Sequence, residues 1–327
     1  MPATNPFDRA IPAAAGYPQY SGNLMHPLVS QELLERFTCT TVFGAISSTE
    51  YMGELIGKGD KITFFKQPEV SVRQHVKDGT IKHDTLAAET HTMVIDKACE
   101  WSVKIAQLDE RMMGMWPKFK AAMMESASDA IAQSQDRELL GSIYLDADPD
   151  NMGALAGVQT HCYNLGELGA PVEIQDGEDI VKLFSRLHAV LGEQCAPRNN
   201  RFVVLPVVAE TFMLQSEFLA RVGASGGLSP SQILNGQMAD RVMNFMIYIS
   251  HNLPQVLDPV TNQQCYYAIA GLPMATAWAS VLSETRVINN DKDSWDTYYQ
   301  GLLAYGFDVI YPKALAVAYI TFDKTNI

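Results

Sequence analysis

Histidine and cysteine are the residues of this chain whose spacing could do chemistry, because both ligate metals and cysteine can act as a nucleophile. His75, His83 and His91 recur every eight residues, and an even spacing would place all three on one face of a straight strand. An Asp-Gly pair at 78–79 is a strong turn signal between the first two and interrupts that face. We therefore predict no metal site here.

Two further groupings suggest chemistry at first sight. Cys195 follows His188 by seven residues, but a nucleophile and its base are defined by geometry and not by spacing, so we predict no dyad. Asp146, Asp148 and Asp150 resemble the first half of a calcium-binding loop. The glycine expected at the sixth position and the glutamate expected at the twelfth are absent, so we interpret this run as a helix terminator.

Motifs for phosphate or cofactor binding are also missing. The chain has no GxxxxGK[ST] loop and no HExxH pair, and the glycine-rich run 223–227 has the wrong spacing for a dinucleotide fingerprint. We interpret that run as a flexible loop. The sequence thus predicts no catalytic residue, no cofactor-binding residue, no metal ligand and no enzyme activity.

Composition places the chain among soluble globular proteins. Its 327 residues hold 24 Lys and Arg against 37 Asp and Glu, a net charge of −13, with 47% hydrophobic and 19% charged residues. This length favours two domains. An acidic chain lacks the basic surface of most nucleic-acid-binding proteins. The five cysteines are scattered, which favours free thiols in a reducing compartment, and we expect neither a signal peptide nor a membrane span.

The N-terminal part, 1–53, has the pattern of an extended arm. Five prolines within the first 27 residues rule out a regular helix or a central strand there, yet the segment carries too many apolar residues for an ordinary disordered tail. We expect it to lie on another surface, and we predict a short helix over 30–37.

Residues 54–95 have the pattern of a long β-hairpin. Ile62, Phe64, Val70 and Val72 alternate with polar residues, and strand-like residues return over 90–94 and continue to 105. The segment between Glu54 and Glu89 holds six basic and six acidic residues, so it is neutral within an acidic chain. Isolated hairpins are marginally stable in water, so we expect this one to lie against something else.

The remaining pattern alternates helices with short strands. A long helix over 109–145 begins its main part at Pro117 and forms a spine of about 40 Å. An amphipathic helix with Asp179 near its start precedes a buried strand at 201–206. The later predictions are a helix over 207–220, a strand over 243–250, a helix over 272–283, and a closing strand pair formed by 301–311 and 314–322.

This order of elements resembles the major capsid proteins of tailed bacteriophages, which have the Hong Kong 97 type of fold. The similarity is carried by five stretches in the same order: a Gly-Asp turn leading into a strand, the end of the spine helix, a Pro-Arg turn leading into a strand, a strand followed by Ser, Asn and Leu, and an aromatic-Gly strand followed by Pro and Ala-Leu. In this chain they are residues 50–62, 132–140, 197–205, 246–254 and 305–315.

The resemblance implies an α+β capsid fold and a division of the chain. It assigns 1–53 to an N-terminal arm with a short helix, and 54–95 to an extended loop that reaches over a neighbouring subunit. A peripheral domain with the spine helix comprises 96–155 and 300–327, and an axial domain comprises 156–299. By the same resemblance, Arg73, Lys77, Asp78, Lys82 and Asp84 in the extended loop are the candidate subunit contacts.

The resemblance also implies the function and the partners. The chain is expected to assemble with itself into pentamers and hexamers of an icosahedral phage head, in the host bacterial cytoplasm, and to enclose double-stranded DNA. Its acidity predicts that the DNA is held without tight or sequence-specific binding. The start of the hairpin near residue 60 leaves no room for a long scaffolding segment, so a scaffold would be a separate protein. Portal and decoration proteins are the other expected partners.

Two alternatives remain open at this point. An encapsulin-like shell would have the same fold but would enclose protein cargo. An α/β enzyme with a site assembled from distant residues would leave no local motif. The Lys–Asn cross-link of some capsid proteins is not predicted, because no partner can be matched to Lys77 or Lys82.

Overall fold

A computed structural model gives the structure of the protein. It describes residues 39–50, 61–67, 70, 72–74, 83, 90–112, 116–216, 241–291 and 294–323. The predicted arm, the predicted helix over 30–37 and the glycine-rich run 223–227 lie outside these residues. The helices are α1 (Phe43–Ile46), α2 (Gln107–Met112), α3 (Trp116–Ile143), α4 (Gly177–Glu193) and α5 (Val207–Gln215).

Twelve strands are found in the described part of the chain. They are β1 (Lys61–Phe65), β2 (Thr90–Val94), β3 (Lys97–Ala106), β4 (Val172–Ile174), β5 (Arg201–Pro206), β6 (Arg241–Val242), β7 (Phe245–Ser250), β8 (Gln255–Leu257), β9 (Gln264–Gly271), β10 (Thr276–Asp291), β11 (Ser294–Val309) and β12 (Leu315–Phe322). They form three sheets together with the helices, and the fold is α+β, as predicted.

A seven-stranded mixed sheet forms the larger half of the core. Its order is β4-β12-β9-β5-β7-β6, with β8 paired to β9. The strands are covered on both faces. Val203 and Leu205 point to the side packed against α4 and α5, while Phe202 and Val204 point to the side packed against α3. Burial on both faces explains why β5 is an unbroken apolar run rather than an alternating one.

The amphipathic helix α4 begins and packs as its sequence predicts. The Asp176 carboxylate accepts a hydrogen bond from the Asp179 backbone N–H at 3.0 Å and so caps the first turn. The apolar stripe that includes Leu183, Leu187 and Leu191 is fully buried against the sheet. The predicted helix and the predicted strand 201–206 are both confirmed.

A second, three-stranded antiparallel sheet has the order β10-β11-β3. Its strands β10 and β11 form a hairpin of 16 residues on each side, which is about 50 Å long. The spine helix α3 has 28 residues, about 40 Å, with Pro117 in its first turn. Its buried residues all lie in the C-terminal half, from Gln135 to Ile143, whereas Phe119 near its start is exposed.

Several sequence predictions are wrong in detail. Residues 272–283 were predicted as a helix, but they form a 3₁₀ turn and then strand β10. Ala277 and Ala279 pack under β1 and β2 while Trp278 packs in the main core, so both faces are covered and the alternation that marks a strand is lost. The predicted closing strand pair does not exist either, because β11 pairs with β3 and β10, and β12 pairs with β9 and β4.

Sheet membership divides the chain differently from the predicted domain boundaries. Strand β12 lies inside the seven-stranded sheet with elements of 156–299, although 300–327 had been assigned to the peripheral domain. Strand β10 lies in the three-stranded sheet with β3 and β11, although it falls within 156–299. The boundary between the two sheets therefore falls near residue 275, inside the range 156–299, and near residue 312, inside the range 300–327.

Candidate subunit-contact surfaces

The base of the extended loop is the antiparallel pair β1–β2. Its inner face carries Ile62, Phe64 and Met93, which are buried against Ala277, Ala279 and Ile310 of the same chain. The inner face of the loop base therefore lies against the body of its own chain, and the expectation that the hairpin lies against something else stays a prediction for its remaining residues. The small alanine side chains allow the two layers to approach closely, and the apolar inner face finds its cover within the subunit.

The outer side of the same segment is uncovered. Phe65 is 76% exposed, Val70 is 69% exposed and Val72 is 95% exposed. The predicted alternation does not continue as a strand here, because β1 ends at Phe65. Apolar side chains concentrated in one short segment and left in water by their own chain are typical of a surface that another molecule covers.

The structure describes one of the five predicted contact residues. Arg73 lies next to Val72 and is exposed. Lys77, Asp78, Lys82 and Asp84 lie outside the described residues. The role of all five as subunit contacts stays a prediction.

A polar contact joins the base of the loop to the body. His91 of β2 lies on the inner face with Met93, and its Nε2 is 2.9 Å from Asp308 Oδ2 of β11. The other oxygen of Asp308 accepts a hydrogen bond from the Val309 backbone N–H at 2.8 Å.

Burial and the negative charge of Asp308 both raise the pKa of Asp146, which lies in the 3₁₀ turn after α3.

A buried carboxylate fixes the chain just before the extended loop. Asp136 of α3 is fully buried and accepts hydrogen bonds from the backbone N–H groups of Val42 and Phe43 at 2.9 and 2.8 Å. Its other oxygen accepts one from the Asn252 side-chain amide at 2.8 Å. Ser48 then bridges to β10, with its backbone N–H donating to the Thr276 carbonyl at 2.8 Å. Residues 42–48 are thus held by both the spine helix and a strand.

A second polar network holds the spine helix on the three-stranded sheet. Glu138 accepts hydrogen bonds from Lys97 Nζ at 2.7 Å and from the Tyr305 hydroxyl. Burial would raise the pKa of Glu138, but these two bonds outweigh it and hold the pKa below its ordinary value. Burial and the bond to Glu138 raise the pKa of Tyr305. The Cys99 thiol lies 3.6 Å from that hydroxyl, so this cysteine belongs to a structural network.

The far end of the β10–β11 hairpin is a second apolar surface. Trp295 is 79% exposed, and Val287 and Ile288 on the opposite strand, which point to opposite faces of the hairpin, are 48% and 37% exposed. Strand β3 pairs with β11 only from Asp296 onwards, so the end of the hairpin extends beyond its sheet. The sequence analysis missed this surface because it predicted no strand across 284–291. The signal that was available is an aromatic residue, Trp295, close after the polar run 289–293.

A third surface lies at one edge of the seven-stranded sheet. Leu168, Leu257 and Val260 are 62%, 66% and 71% exposed on neighbouring loops. Asp258 lies buried beneath them, and its carboxylate accepts hydrogen bonds from the backbone N–H groups of Thr261 at 2.8 Å and Gly169 at 2.7 Å. These and further bonds within the loop lower its pKa to about 2. The loops are therefore rigidly held at this edge.

His188, which the sequence places near Cys195, lies in a structural contact with Arg201. The buried Arg201 guanidinium lies 3.2 Å from His188 Nδ1 and donates to the backbone carbonyls of His188, Ala196 and Pro197 at the end of α4. Burial and the positive charge of Arg201 lower the pKa of His188. Cys195 is exposed in the turn that follows, with a left-handed φ of 58°.

The acidic run after the spine helix is a terminator, as predicted. Helix α3 ends at Ile143, and the Asp148 carboxylate accepts a hydrogen bond from the Asp150 backbone N–H at 3.0 Å to begin a 3₁₀ turn. Among the described residues no group of three or more His, Cys, Asp or Glu side chains is placed to hold a metal ion. No helix among them is both long and apolar enough to span a membrane.

Comparison with known proteins gives no match to a protein-family model or to a curated protein sequence. Solved structures do match over nearly the whole chain. A structure from Mycobacterium phage Che8 has a TM-score of 0.68 and 21% identity, covering 93% of this chain and 99% of that one. The capsid of Cyanophage P-SCSP1u has a TM-score of 0.68 and 14% identity, covering 94% and 97%. The mature capsid of bacteriophage PhiM1 has a TM-score of 0.62 and 11% identity, covering 92% and 93%.

The chain has the fold of phage capsid proteins. The predicted Hong Kong 97-type architecture is confirmed. Both chains are covered almost completely in each match, so the similarity extends over the whole fold and is not limited to one shared domain.

Proposed function

We propose that this protein is the major capsid protein of a tailed bacteriophage. Copies of it assemble into hexamers and pentamers of an icosahedral head that encloses double-stranded DNA. The observation that carries the proposal is the match of 92–95% of this chain to chains of phage capsids. A shell protein needs several surfaces that contact other copies, and the exposed apolar surfaces of the extended loop and of the β10–β11 hairpin supply candidates.

The domain roles follow from the same proposal. The extended loop, 54–95, reaches over a neighbouring subunit, and Arg73, Lys77, Asp78, Lys82 and Asp84 contact it. The three-stranded sheet with the spine helix forms the peripheral part, and the seven-stranded sheet with α4 and α5 forms the axial part of the subunit. The role is structural and without enzyme activity. A separate scaffold, a portal and decoration proteins are the further partners, and assembly takes place in the host cytoplasm before the protein becomes part of the virion.

Expression of the full chain tests the proposal directly. Purified protein is separated by sedimentation and imaged by electron microscopy, with and without candidate scaffold protein from the same source. Polyhedral shells, tubes or capsomers are expected. A protein that stays a monomer or dimer at all concentrations, with or without scaffold, would contradict the proposal. Particles that contain proteins rather than DNA in the native host would favour the encapsulin-like alternative.

A substitution in the extended loop tests the contact surface itself. Phe65→Ser removes a side chain that its own chain leaves 76% exposed, so the urea midpoint of the free subunit should not change. Assembly should fall severalfold, because a buried aromatic contact between subunits is lost. Phe65→Leu is the matched control, since it keeps an apolar side chain at the same place and should assemble. Equal assembly of the Ser variant and the wild type would remove Phe65 from the contact surface.

A further inference from the structure

The segment that precedes the extended loop buries little of its own surface. Residues 42–48, the entry segment, contain the four-residue helix α1, which has no side-chain cap at its N-terminus. Within this segment Val42, Ile46 and Ser47 are buried, and the other residues are half-buried or exposed. A stretch with so little buried apolar surface has a low free energy of local opening.

The entry segment contacts β10 through a backbone bridge and a ring contact. The Ser48 backbone N–H donates to the Thr276 carbonyl at 2.8 Å, and the Trp278 backbone N–H donates to the Ser48 carbonyl at 3.0 Å. The ring of Phe43 packs on the indole of Trp278, with 5.4 Å between the ring centroids. Thr276 and Trp278 are two positions apart on one strand, so their side chains point to the same side of β10.

These two side chains carry buried polar atoms that are not satisfied. Within the described residues, Thr276 Oγ1 and Trp278 Nε1 have no hydrogen-bond partner, although Thr276 is fully buried and Trp278 is 9% exposed. A third such atom, Gln135 Nε2, belongs to the residue before Asp136, whose carboxylate holds the entry segment. A buried polar atom without a partner has lost its hydrogen bonds to water and gained none in return. Covering Thr276 and Trp278 therefore carries a cost that the few apolar contacts of the entry segment must offset.

We propose that the entry segment opens locally, by leaving Thr276 and Trp278, while the rest of the subunit stays folded. In the open state water reaches the Thr276 hydroxyl and the Trp278 indole N–H, so the cost of their missing partners disappears. The two hydrogen bonds to Asp136 and the bridge at Ser48 favour the closed state. Opening detaches residues that precede the extended loop from the spine helix and from β10, without unfolding either sheet. The inference concerns the single subunit and does not depend on capsid assembly.

Hydrogen exchange on the full chain tests the opening. Peptides covering 42–48 are compared with peptides from the buried strands β9 and β12, and sedimentation confirms a single assembly state. Relative to intrinsic rates, the entry segment should exchange at least about tenfold faster than these strands, because it opens without global unfolding. Its protection should also be insensitive to low concentrations of urea, since local opening exposes little surface. Exchange of 42–48 in step with β9 and β12, with the same urea dependence, would overturn the proposal.

A substitution at Thr276 tests the unpaired hydroxyl. Thr276→Val replaces the hydroxyl with a methyl group of similar size, so the closed state no longer buries an unsatisfied atom there. Exchange of 42–48 should become about fivefold slower or more, which corresponds to the cost of one such atom. Thr321 of β12 supplies the matched control, because it is also buried but donates its hydroxyl to the Gln264 carbonyl at 3.1 Å. Thr321→Val should reduce protection in β12 and leave the exchange of 42–48 unchanged.

Two results with Thr276→Val would contradict the proposal. Faster exchange of 42–48 would mean that the hydroxyl has a partner in the closed state, such as a buried water. Unchanged exchange of 42–48, whatever the urea midpoint, would mean that Thr276 stays covered when the segment opens. Peptides from β9 and β12 report whether the variant is folded, and the comparison within the wild type decides the question if it is not.

Discussion

Asp136 shows how one buried carboxylate joins parts of the chain that lie far apart in sequence. Its donors come from residues 42–43, 94 and 93 positions away, and from Ser250 and Asn252, more than 110 positions away. No cation appears among these partners. Among the described residues, hydrogen bonds reach both oxygens of this buried side chain, as the burial of a polar group requires.

Replacing this carboxylate should loosen the segment that leads into the extended loop. Asp136→Asn keeps the size of the side chain but turns one acceptor into a donor, which then faces the Asn252 amide or the backbone N–H groups. A buried donor left without an acceptor lowers the free energy of unfolding by about 1–3 kcal/mol. Urea denaturation of the free subunit measures the change.

The control for this prediction lies on the same helix. Glu125 of α3 is exposed, so Glu125→Gln should leave the urea midpoint within about 0.5 kcal/mol of the wild type. If Asp136→Asn is as stable as Glu125→Gln, the carboxylate does not hold residues 42–43. Sequence analysis placed Asp136 on the spine helix but could not find its partners, because contacts over about 100 residues leave no local pattern.

At the scale of elements, the sequence predicts a helix or a strand correctly where its apolar pattern corresponds to the faces that the element buries. Helix α4 has one apolar stripe and one core to face, and β5 is a short apolar run between turns. The first part of β10 does not read as a strand because Ala277, Trp278 and Ala279 are all buried, so that the polar–apolar alternation is lost. The pairing of the strands could not be predicted either, because β11 and β12 are adjacent in sequence but belong to different sheets.

A glycine in the three-stranded sheet gives a prediction at this scale. Trp101 of β3 packs its indole directly over Gly301 of β11, so an added Cβ would overlap the ring. Gly301→Ala should displace Trp101 and lower the free energy of unfolding by about 1–3 kcal/mol, as overpacking does in other cores. Urea denaturation monitored by tryptophan fluorescence measures both effects.

A second glycine supplies the matched control. Gly141 lies in the last part of α3 with open space around its Cα, so Gly141→Ala should stabilise the helix by about 0.5–1 kcal/mol. The same substitution is therefore expected to have opposite signs at the two sites. A Gly301→Ala variant as stable as the wild type would mean that the indole is free to move from its place over the sheet.

At the scale of the whole molecule, the described subunit buries its core but leaves apolar side chains exposed at separate places. The extended loop was anticipated from its sequence, whereas the hairpin end around Trp295 was not. The base of the loop is anchored to its own subunit through Ile62, Phe64 and Met93, and only the outer residues remain uncovered. The loop base therefore has one face anchored in its own subunit and another face left exposed.

Trp295 tests whether the second surface serves assembly. Because its side chain is 79% exposed, Trp295→Ser should leave the stability of the free subunit within about 0.5 kcal/mol of the wild type. Tryptophan residues that become buried at interfaces contribute about 2 kcal/mol or more, so the concentration needed for assembly should rise at least tenfold. Light scattering over a dilution series measures that concentration. Trp295→Phe keeps an aromatic ring and should recover most of the assembly, whereas an unchanged threshold for Trp295→Ser would show that the hairpin end faces solvent in the shell.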